Sequence, residues 1–240
     1  MRVLKAIILG VWALPCSALI CHPKINNHLP QYIVGYRSLI DEQSKKRTDP
    51  TAQDSFPAVI KGYERSWSAH GNLPGLNATF LSVSENPEAS FNGVIYKLSD
   101  PKKMEQYDKR ERVYCRRALS LEGLNVIAAT LPTQKQVWIY ISTKENHQYP
   151  THDYPIVQSY VDTFLRGCVQ IEERFKIKNF AEDCIKSTDQ WPVYWINDRI
   201  FPRRPSLFEP YAAQVDSLLK TLLPKQFKKI RFENSVDTSH

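Results

Sequence analysis

The sequence predicts an α+β fold, with strands in the first part of the chain and helices in the last third. Apolar residues alternate with polar ones, or form short runs typical of strands, in residues 32–34, 58–67, 79–83, 93–98, 113–119 and 136–142. Apolar residues recur instead at helical spacing over residues 160–171 and 215–222. A chain of 240 residues that is 42% hydrophobic can bury a substantial core. We therefore predict one globular domain, over residues 31–223.

The amino terminus has the layout of a secretory signal peptide. Arg2 and Lys5 precede the apolar run 6–14, and the small residues 16–18 offer a cleavage site. We predict a signal peptide over residues 1–18, a linker over residues 19–30 and export to the periplasm or the medium. The alternative is a cytoplasmic protein with a structured first segment. No later apolar run is long enough to cross a bilayer, so no membrane span is expected after signal removal.

The predicted strands are interrupted by recognisable turn residues. Gly62 predicts a bulge or a point of close backbone approach in the strand 58–67, and residues 71–75 are rich in turn formers. The Asn86-Pro87 pair is expected to end the next strand, because proline cannot donate to a sheet ladder. Residues 93–98 are then a separate strand. A charged helical turn on the surface is expected over residues 41–48.

Helix signals follow from residue 100 onward. Asp100 and Pro101 predict a short helix, with Asp100 as its N-cap, that ends close to Glu111. The apolar stripes of the later helices predict core packing, and Pro224 is expected to end the second. We predict an ordered loop over residues 191–205 and a basic, flexible tail over residues 224–240.

The cysteines and histidines show no metal-ligand spacing. No Cys-x-x-Cys pair occurs, and no two histidines lie at helical distance. In an exported protein, four cysteines are candidates for disulfides: Cys21, Cys115, Cys168 and Cys184. Buried thiols are the favoured alternative for Cys115 and Cys168. No metal and no cofactor are expected, and the histidines have no nucleophile at a spacing typical of catalytic triads.

The apolar strand at residues 32–34 runs directly into Gly35. A strand that stops in a tight loop can turn backbone N–H groups toward an anion such as a carboxylate. The net charge of +7 favours anionic partners. No basic stripe interleaved with aromatic residues is present, so we expect no nucleic-acid partner.

Two motifs resemble the γ-glutamylcyclotransferase superfamily, in particular its ChaC-like and bacterial members. Those proteins have Gly-Tyr-Gly-Ser-Leu-Ile after their first strand, and this chain has Gly35-Tyr36-Arg37-Ser38-Leu39-Ile40. They carry their catalytic Glu in an Asp-x-Arg-Glu-x-x-Tyr segment, which is intact here from Asp108 to Tyr114. Segments 62–67, 92–96, 155–160 and 195–199 also resemble family segments. The resemblance implies a small closed or half-closed barrel, or a mixed, mostly antiparallel sheet, with helices packed outside.

The resemblance also implies a reaction. The α-amine of a γ-glutamyl group attacks its own side-chain amide and releases 5-oxoproline together with an amine or a peptide. The substrate would be a γ-glutamyl amine or peptide, and glutathione is one candidate. Glu111 would be the acid/base, provided that burial raises its pKa toward neutrality. Tyr114 would bind the substrate or orient the Glu111 carboxylate. The substrate carboxylate would be bound by the loop residues Gly35, Tyr36, Arg37, Ser38 and Leu39.

Arg37 departs from the motif, since the superfamily has glycine there. Three alternatives follow: an ordinary backbone with Arg37 pointing away, an Arg37 that pairs with the substrate carboxylate, or a loop that no longer binds γ-glutamyl groups. Two functions therefore remain open. One is a cyclotransferase that needs no metal or cofactor, and the other is a non-catalytic module that binds γ-glutamyl or related small ligands on the same fold.

Overall fold

The computed structural model describes residues 21–73, 75–203 and 209–232. The predicted signal peptide and the first two residues of the predicted linker lie outside the described residues. Residues 21–30 form no helix or strand, but Cys21 is bonded to Cys115 and the His22 N–H donates to the Arg116 carbonyl at 3.0 Å. No helix in the described part of the chain combines the length and apolar character that a membrane span requires.

A mixed, mostly antiparallel sheet organises the domain. Its strands are β1 (Gln31–Gly35), β2 (Phe56–Leu73), β3 (Leu76–Lys97), β4 (Cys115–Ala118), β5 (Leu124–Val126) and β6 (Gln136–Ile141), in the order β4-β6-β1-β3-β2-β5. A short strand far along the chain, Thr188–Asp189, also pairs with β2. Pairing is parallel between β1 and β6 and antiparallel between most other neighbours. The predicted α+β class is confirmed, while the two end strands of this order do not pair, so the sheet is not a closed barrel.

The β2–β3 hairpin is longer than the sequence predicts. The expected break at Asn86-Pro87 is wrong, because β3 runs through both residues. Along β2 the pairing passes from Lys61 to Tyr63, while along β3 it jumps from Ser90 to Glu85. Pro87 lies in the skipped stretch, where its missing N–H costs no ladder hydrogen bond. The bulge predicted at Gly62 is confirmed, and its φ of +84° is one that glycine adopts easily.

The described residues form six α-helices. They are α1 (Glu42–Thr48), α2 (Met104–Arg110), α3 (Gln158–Phe175), α4 (Phe180–Lys186), α5 (Ala212–Leu222) and α6 (Pro224–Phe227). The Asp41 carboxylate caps α1 by accepting from the Ser44 N–H at 2.7 Å. Asp100 caps the 3₁₀ turn that leads into α2, as the sequence predicts. The charged segment 41–48 is helical as expected, but Ser44 and Lys45 are buried rather than exposed.

Two apolar clusters lie on the two faces of the sheet. Successive residues of β1 alternate between them, so that Ile33 belongs to one and Val34 to the other. The stripe predicted on α3 lies in the first cluster, where it meets Trp67 and Trp195. The stripe on α5 joins the same cluster. The prediction that both stripes are core packing is therefore confirmed.

The carboxyl-terminal part adds a small three-stranded parallel sheet. Its strands are β7 (Ile156–Val157), β9 (Trp195–Asn197) and β10 (Arg231–Phe232), with β9 in the middle, while β8 is the strand Thr188–Asp189 of the main sheet. The segment predicted as a loop thus contains a strand, and the predicted tail begins with α6 and β10. Residues 233–240 of that tail lie outside the described residues.

All four candidate cysteines are in disulfides. Cys21 is bonded to Cys115, and Cys168 on α3 is bonded to Cys184 on α4. The prediction that Cys115 and Cys168 are buried thiols is therefore wrong. Burial alone cannot separate a thiol from half of a disulfide, since Cys115 and Cys168 are both almost fully buried.

Candidate functional site

The loop that follows β1 is a buried tight turn with an ordinary backbone. The Ile40 N–H donates to the Arg37 carbonyl at 2.8 Å. Tyr36 donates its hydroxyl proton to the Tyr140 carbonyl at 2.6 Å, which fixes the loop to β6. Arg37 is not among the described residues with positive φ, so the change from glycine introduces no strained backbone. Arg37 therefore has an ordinary backbone, as the first of the three alternatives expects.

Glu111 follows the last residue of α2. Its N–H donates to the Tyr107 carbonyl at 2.8 Å, and its own carbonyl accepts from the Tyr114 N–H at 2.8 Å. This turn redirects the chain from α2 toward β4 and brings the side chains of Glu111 and Tyr114 to the same region. Glu111 is only 2% exposed. The prediction that α2 delivers Glu111 at its end is confirmed.

The side chain of Arg37 points toward Glu111 rather than into solvent. Its guanidinium makes a salt bridge with the Glu111 carboxylate and lies over the Tyr114 ring, 4.0 Å from the ring centroid. Burial opposes the charge on Arg37, but the neighbouring phenols of Tyr114 and Tyr36 raise its pKa above the ordinary value for arginine. The loop and the Glu111 motif thus meet through an ion pair that is almost completely screened from water.

A second guanidinium reaches the other oxygen of Glu111. The Arg110 Nε lies 3.2 Å from Glu111 Oε1. Two cations on one carboxylate favour its ionised form and oppose the cost of burial. The Glu111 carboxylate therefore lies between a cation from each motif.

Arg110 also ties the two motifs to helix α1. Its guanidinium donates to the Ser38 hydroxyl at 3.0 Å, to the Ser44 carbonyl at 2.8 Å and to the Ser44 hydroxyl at 3.0 Å, and it also contacts the Thr48 hydroxyl. Ser38 therefore faces Arg110. Sequence reasoning missed Ser44 and Thr48, since two small polar residues in a charged helix carry no distinctive signal.

Helix α3 supports the far end of the same loop. The Arg166 Nε donates to the Asp41 carboxylate at 2.7 Å, and another nitrogen of Arg166 reaches Glu209 at 2.5 Å. A methyl group at Gly167 would lie 2.5 Å from the Asp41 nitrogen, so glycine is required for this close approach. Arg166 and Asp41 thereby set the start of α1, on which the Arg110 contacts depend.

The remaining motif residues make contacts within the fold. Leu39 packs in the larger apolar cluster, and Gly35 approaches the Leu39 carbonyl so closely that a Cβ would lie 2.9 Å from its oxygen. Tyr114 donates its hydroxyl proton to the Leu81 carbonyl at 3.2 Å. The Asp108 carboxylate accepts from Tyr140 at 2.6 Å and from Arg116 at 2.9 Å. The described residues contain no group of three or more His, Cys, Asp or Glu side chains that could hold a metal ion.

The assembled site offers opposite charges side by side. Arg37 can bind a carboxylate, and Glu111 can accept a proton from an amine or stabilise an ammonium group. Because Arg37 and Glu111 are buried against each other, a ligand that uses both groups must first separate them. The site can therefore recognise a molecule that carries a carboxylate and an amine close together.

Comparisons with known proteins give similarities in structure. No protein-family model matches the sequence, and no curated protein matches it significantly. A structure of a γ-glutamyl cyclotransferase is 14% identical, with a TM-score of 0.47 over 64% of this chain and 85% of that one. A yeast γ-glutamyl cyclotransferase specific to glutathione is 14% identical, with a TM-score of 0.42 over 67% of this chain and 97% of that one.

A third similar structure is YkqA from Bacillus subtilis, which is 19% identical with a TM-score of 0.45 over 61% of this chain. This chain spans about half of that protein, 53% of its length. The solved structures to which the chain is similar thus include γ-glutamyl cyclotransferases, the superfamily that its two motifs resemble.

Proposed function

We propose that the chain binds γ-glutamyl compounds through their α-amino acid head and acts on them as a cyclotransferase. The ion pair between Arg37 and Glu111 is the observation that carries this proposal. A γ-glutamyl head group has a carboxylate and an amine on one carbon atom, so its charges are the complement of this pair. Such a ligand satisfies both buried charges when it separates them, which offsets the cost of breaking their contact.

The proposed reaction needs no group beyond the substrate and the chain. With the carboxylate on Arg37, the α-ammonium group lies beside Glu111 and loses one proton to solvent, which gives the free amine. The amine nitrogen then forms a bond to the γ-carbonyl carbon while Glu111 takes a second proton from that nitrogen, and the bond from the carbon to the leaving nitrogen breaks. Glu111 returns the proton to the leaving nitrogen. Because both reacting groups belong to one molecule, holding them in place can supply up to about 7–11 kcal/mol of the barrier.

The test of this proposal is release of 5-oxoproline from a panel of γ-glutamyl amines and peptides, glutathione among them. If Glu111 transfers the proton, Glu111→Gln lowers turnover by about 10²–10⁴-fold. Glutamine also leaves the buried guanidinium of Arg37 and the partly buried one of Arg110 without their anion, so the fold of the variant must be checked by circular dichroism. A folded Glu111→Gln protein with parental turnover would remove Glu111 from the mechanism.

Glu111→Asp is the matched control for charge. It keeps an anion between Arg37 and Arg110 but draws the carboxylate back by one methylene group. We expect turnover to fall with aspartate as well, because proton transfer depends on distance, whereas stability should suffer less than with glutamine. Turnover that survives in the aspartate variant but not in the glutamine variant would show that the carboxylate is needed while its position is not critical.

A second candidate function is binding without turnover. The contact of Arg110 with the second oxygen of Glu111 favours it, because a carboxylate between two cations is a weaker base. If this alternative is right, titration calorimetry detects binding of γ-glutamyl compounds to the chain, while no 5-oxoproline is released from any of them. Binding together with 5-oxoproline release contradicts it.

Export remains part of the proposal. The order of charged, apolar and small residues in the first 18 positions supports it, and so do the two disulfides, which persist in oxidising compartments. We expect the mature chain to begin near Leu19. Amino-terminal sequencing of protein from the native host tests this, and an intact Met1 on cytosolic protein would contradict export.

A further inference from the structure

A separate cavity lies beside the small sheet of β7, β9 and β10, away from the motif residues. Its volume is about 130 Å³, and it is lined by His152, Pro155, Val193, Tyr194, Trp195, Ile196, Lys229 and Arg231. None of these residues belongs to the Arg37–Glu111 site. A volume of this size holds several water molecules or one compact ring.

The cavity has apolar walls that are partly open to solvent. The lining residues Val193 and Tyr194 are 47% and 45% exposed. Large apolar side chains that are close together and exposed mark binding sites more often than isolated ones do. The walls therefore favour a ligand with an apolar or aromatic part.

The charges at the cavity are almost all positive. Lys229 and Arg231 line it, and neither side chain has an ion pair with any residue that the structure describes. Residues 217–232 contain five basic residues and no acidic one: Lys220, Lys225, Lys228, Lys229 and Arg231. The acid nearest in sequence to a lining residue is Asp153, which lies 3.2 Å from the His152 ring and is largely exposed. The cavity therefore favours a negatively charged group.

We propose that this cavity binds a small anion, a carboxylate or a phosphate monoester, that carries a compact apolar group. The anion would lie against Lys229 and Arg231, where charge-assisted hydrogen bonds are available. The apolar group would lie against Val193 and Tyr194. This site is independent of the γ-glutamyl site, because the two share no residue.

Titration calorimetry on the full chain, with both disulfides intact, tests the proposal. The probes are benzoate and phenyl phosphate, and their neutral counterparts are benzamide and phenol. We expect saturable binding of one anion per chain, with at least tenfold weaker binding of the neutral partner. The anion that binds with the higher affinity identifies the charged group, carboxylate or phosphate, that the cavity prefers. Absence of saturable binding by both anions at millimolar concentration would overturn the proposal.

Two double variants with equal net charge separate a site from general attraction. Lys229→Gln with Arg231→Gln removes the two cations of the cavity, and Lys220→Gln with Lys225→Gln removes two exposed cations of the same basic segment. Loss of charge-assisted hydrogen bonds should weaken anion binding by roughly tenfold or more in the first and by no more than about twofold in the second. Equal weakening in both would overturn the proposal. If the first double variant unfolds, Lys229→Gln alone replaces it, since Lys229 lies outside the strands.

Discussion

Two buried arginines, one in the loop after β1 and one that donates to this loop, illustrate different uses of a guanidinium group. Arg37 makes a salt bridge with one carboxylate and lies over an aromatic ring. Arg65, on β2, donates to the carbonyls of Tyr36, Asn92 and Cys184 at 2.7–3.1 Å. It also donates to the side chains of Asn92, Ser187 and Thr188. Burial lowers the pKa of Arg65 to about 9, which leaves it charged at neutral pH.

The difference lies in what a ligand can replace. The acceptors of Arg65 are fixed parts of the backbone or short side chains, so no small molecule can take their place without unfolding the region. The ion-pair partner of Arg37 is one carboxylate, that of Glu111, and another carboxylate can substitute for it. Arg65 therefore stabilises the fold, whereas we propose that Arg37 exchanges its partner for a ligand.

The largest expected effect is on stability at Arg65. Arg65→Met keeps the unbranched stem of the side chain but leaves several buried oxygens without a donor, so we expect the free energy of unfolding to fall by about 3–5 kcal/mol. Denaturant unfolding of the oxidised protein measures it. Arg174→Met is the matched control, because its partner Asp54 is exposed, and it should change stability by about 0.5 kcal/mol or less. Similar losses of stability in both variants would show that Arg65 stabilises the fold no more than an exposed ion pair does.

The next effect concerns ligand affinity at Arg37. If Arg37 binds the substrate carboxylate, Arg37→Ala should raise KM, or Kd where there is no turnover, by roughly tenfold or more. Arg37→Lys keeps the charge but not the planar guanidinium, so an intermediate rise is expected. Steady-state kinetics or calorimetry with a γ-glutamyl compound checks both. A higher turnover in the alanine variant would instead mean that Arg37 restrains Glu111.

The smallest effect concerns a third arginine, Arg116, whose partner Asp108 is reached by solvent. Burial works against the charge of Asp108, but hydrogen bonds from Arg116 and Tyr140 lower its pKa below the usual value. This stabilisation is present above about pH 4 and is lost as pH falls through the lowered pKa of the folded state. Asp108→Asn should therefore cost roughly 1 kcal/mol or less at pH 7 and almost nothing near pH 2.

Unfolding curves of the parent and Asp108→Asn at both pH values test this dependence. A difference in stability that is equal at the two pH values would show that the effect comes from shape rather than from charge. Arg116 would then resemble Arg65 more closely than Arg37.

Local signals in the sequence predict most of the fold. The run 32–34, the Asp100-Pro101 helix start and the stripe on α3 each depend on neighbouring residues, and each is confirmed. Pro87 misled the strand prediction because its effect depends on the partner strand. A proline ends a strand only where its N–H is needed, and the bulge at Gly62 removes that need.

Local sequence signals predict the candidate site less completely than the fold. The two motifs could be found in the sequence, but the orientation of Arg37 could not, because Glu111 is distant in the chain and meets it only through the fold. The same holds for Arg110, whose partners Ser44 and Thr48 lie on a different helix. Arg65 lies in a segment that resembles the superfamily, yet its role follows from carbonyl groups, which every sequence contains.

Gly167 has a mechanical consequence. The backbone of α3 touches the backbone of Asp41 at this residue, with no side chain between them to absorb movement. The next residue, Cys168, is covalently joined to Cys184 on α4. The disulfide therefore restrains α3 at its contact with Asp41, at the end of the loop that carries Arg37. When a ligand separates Arg37 from Glu111, we expect the side chains to swing while the loop backbone stays in place.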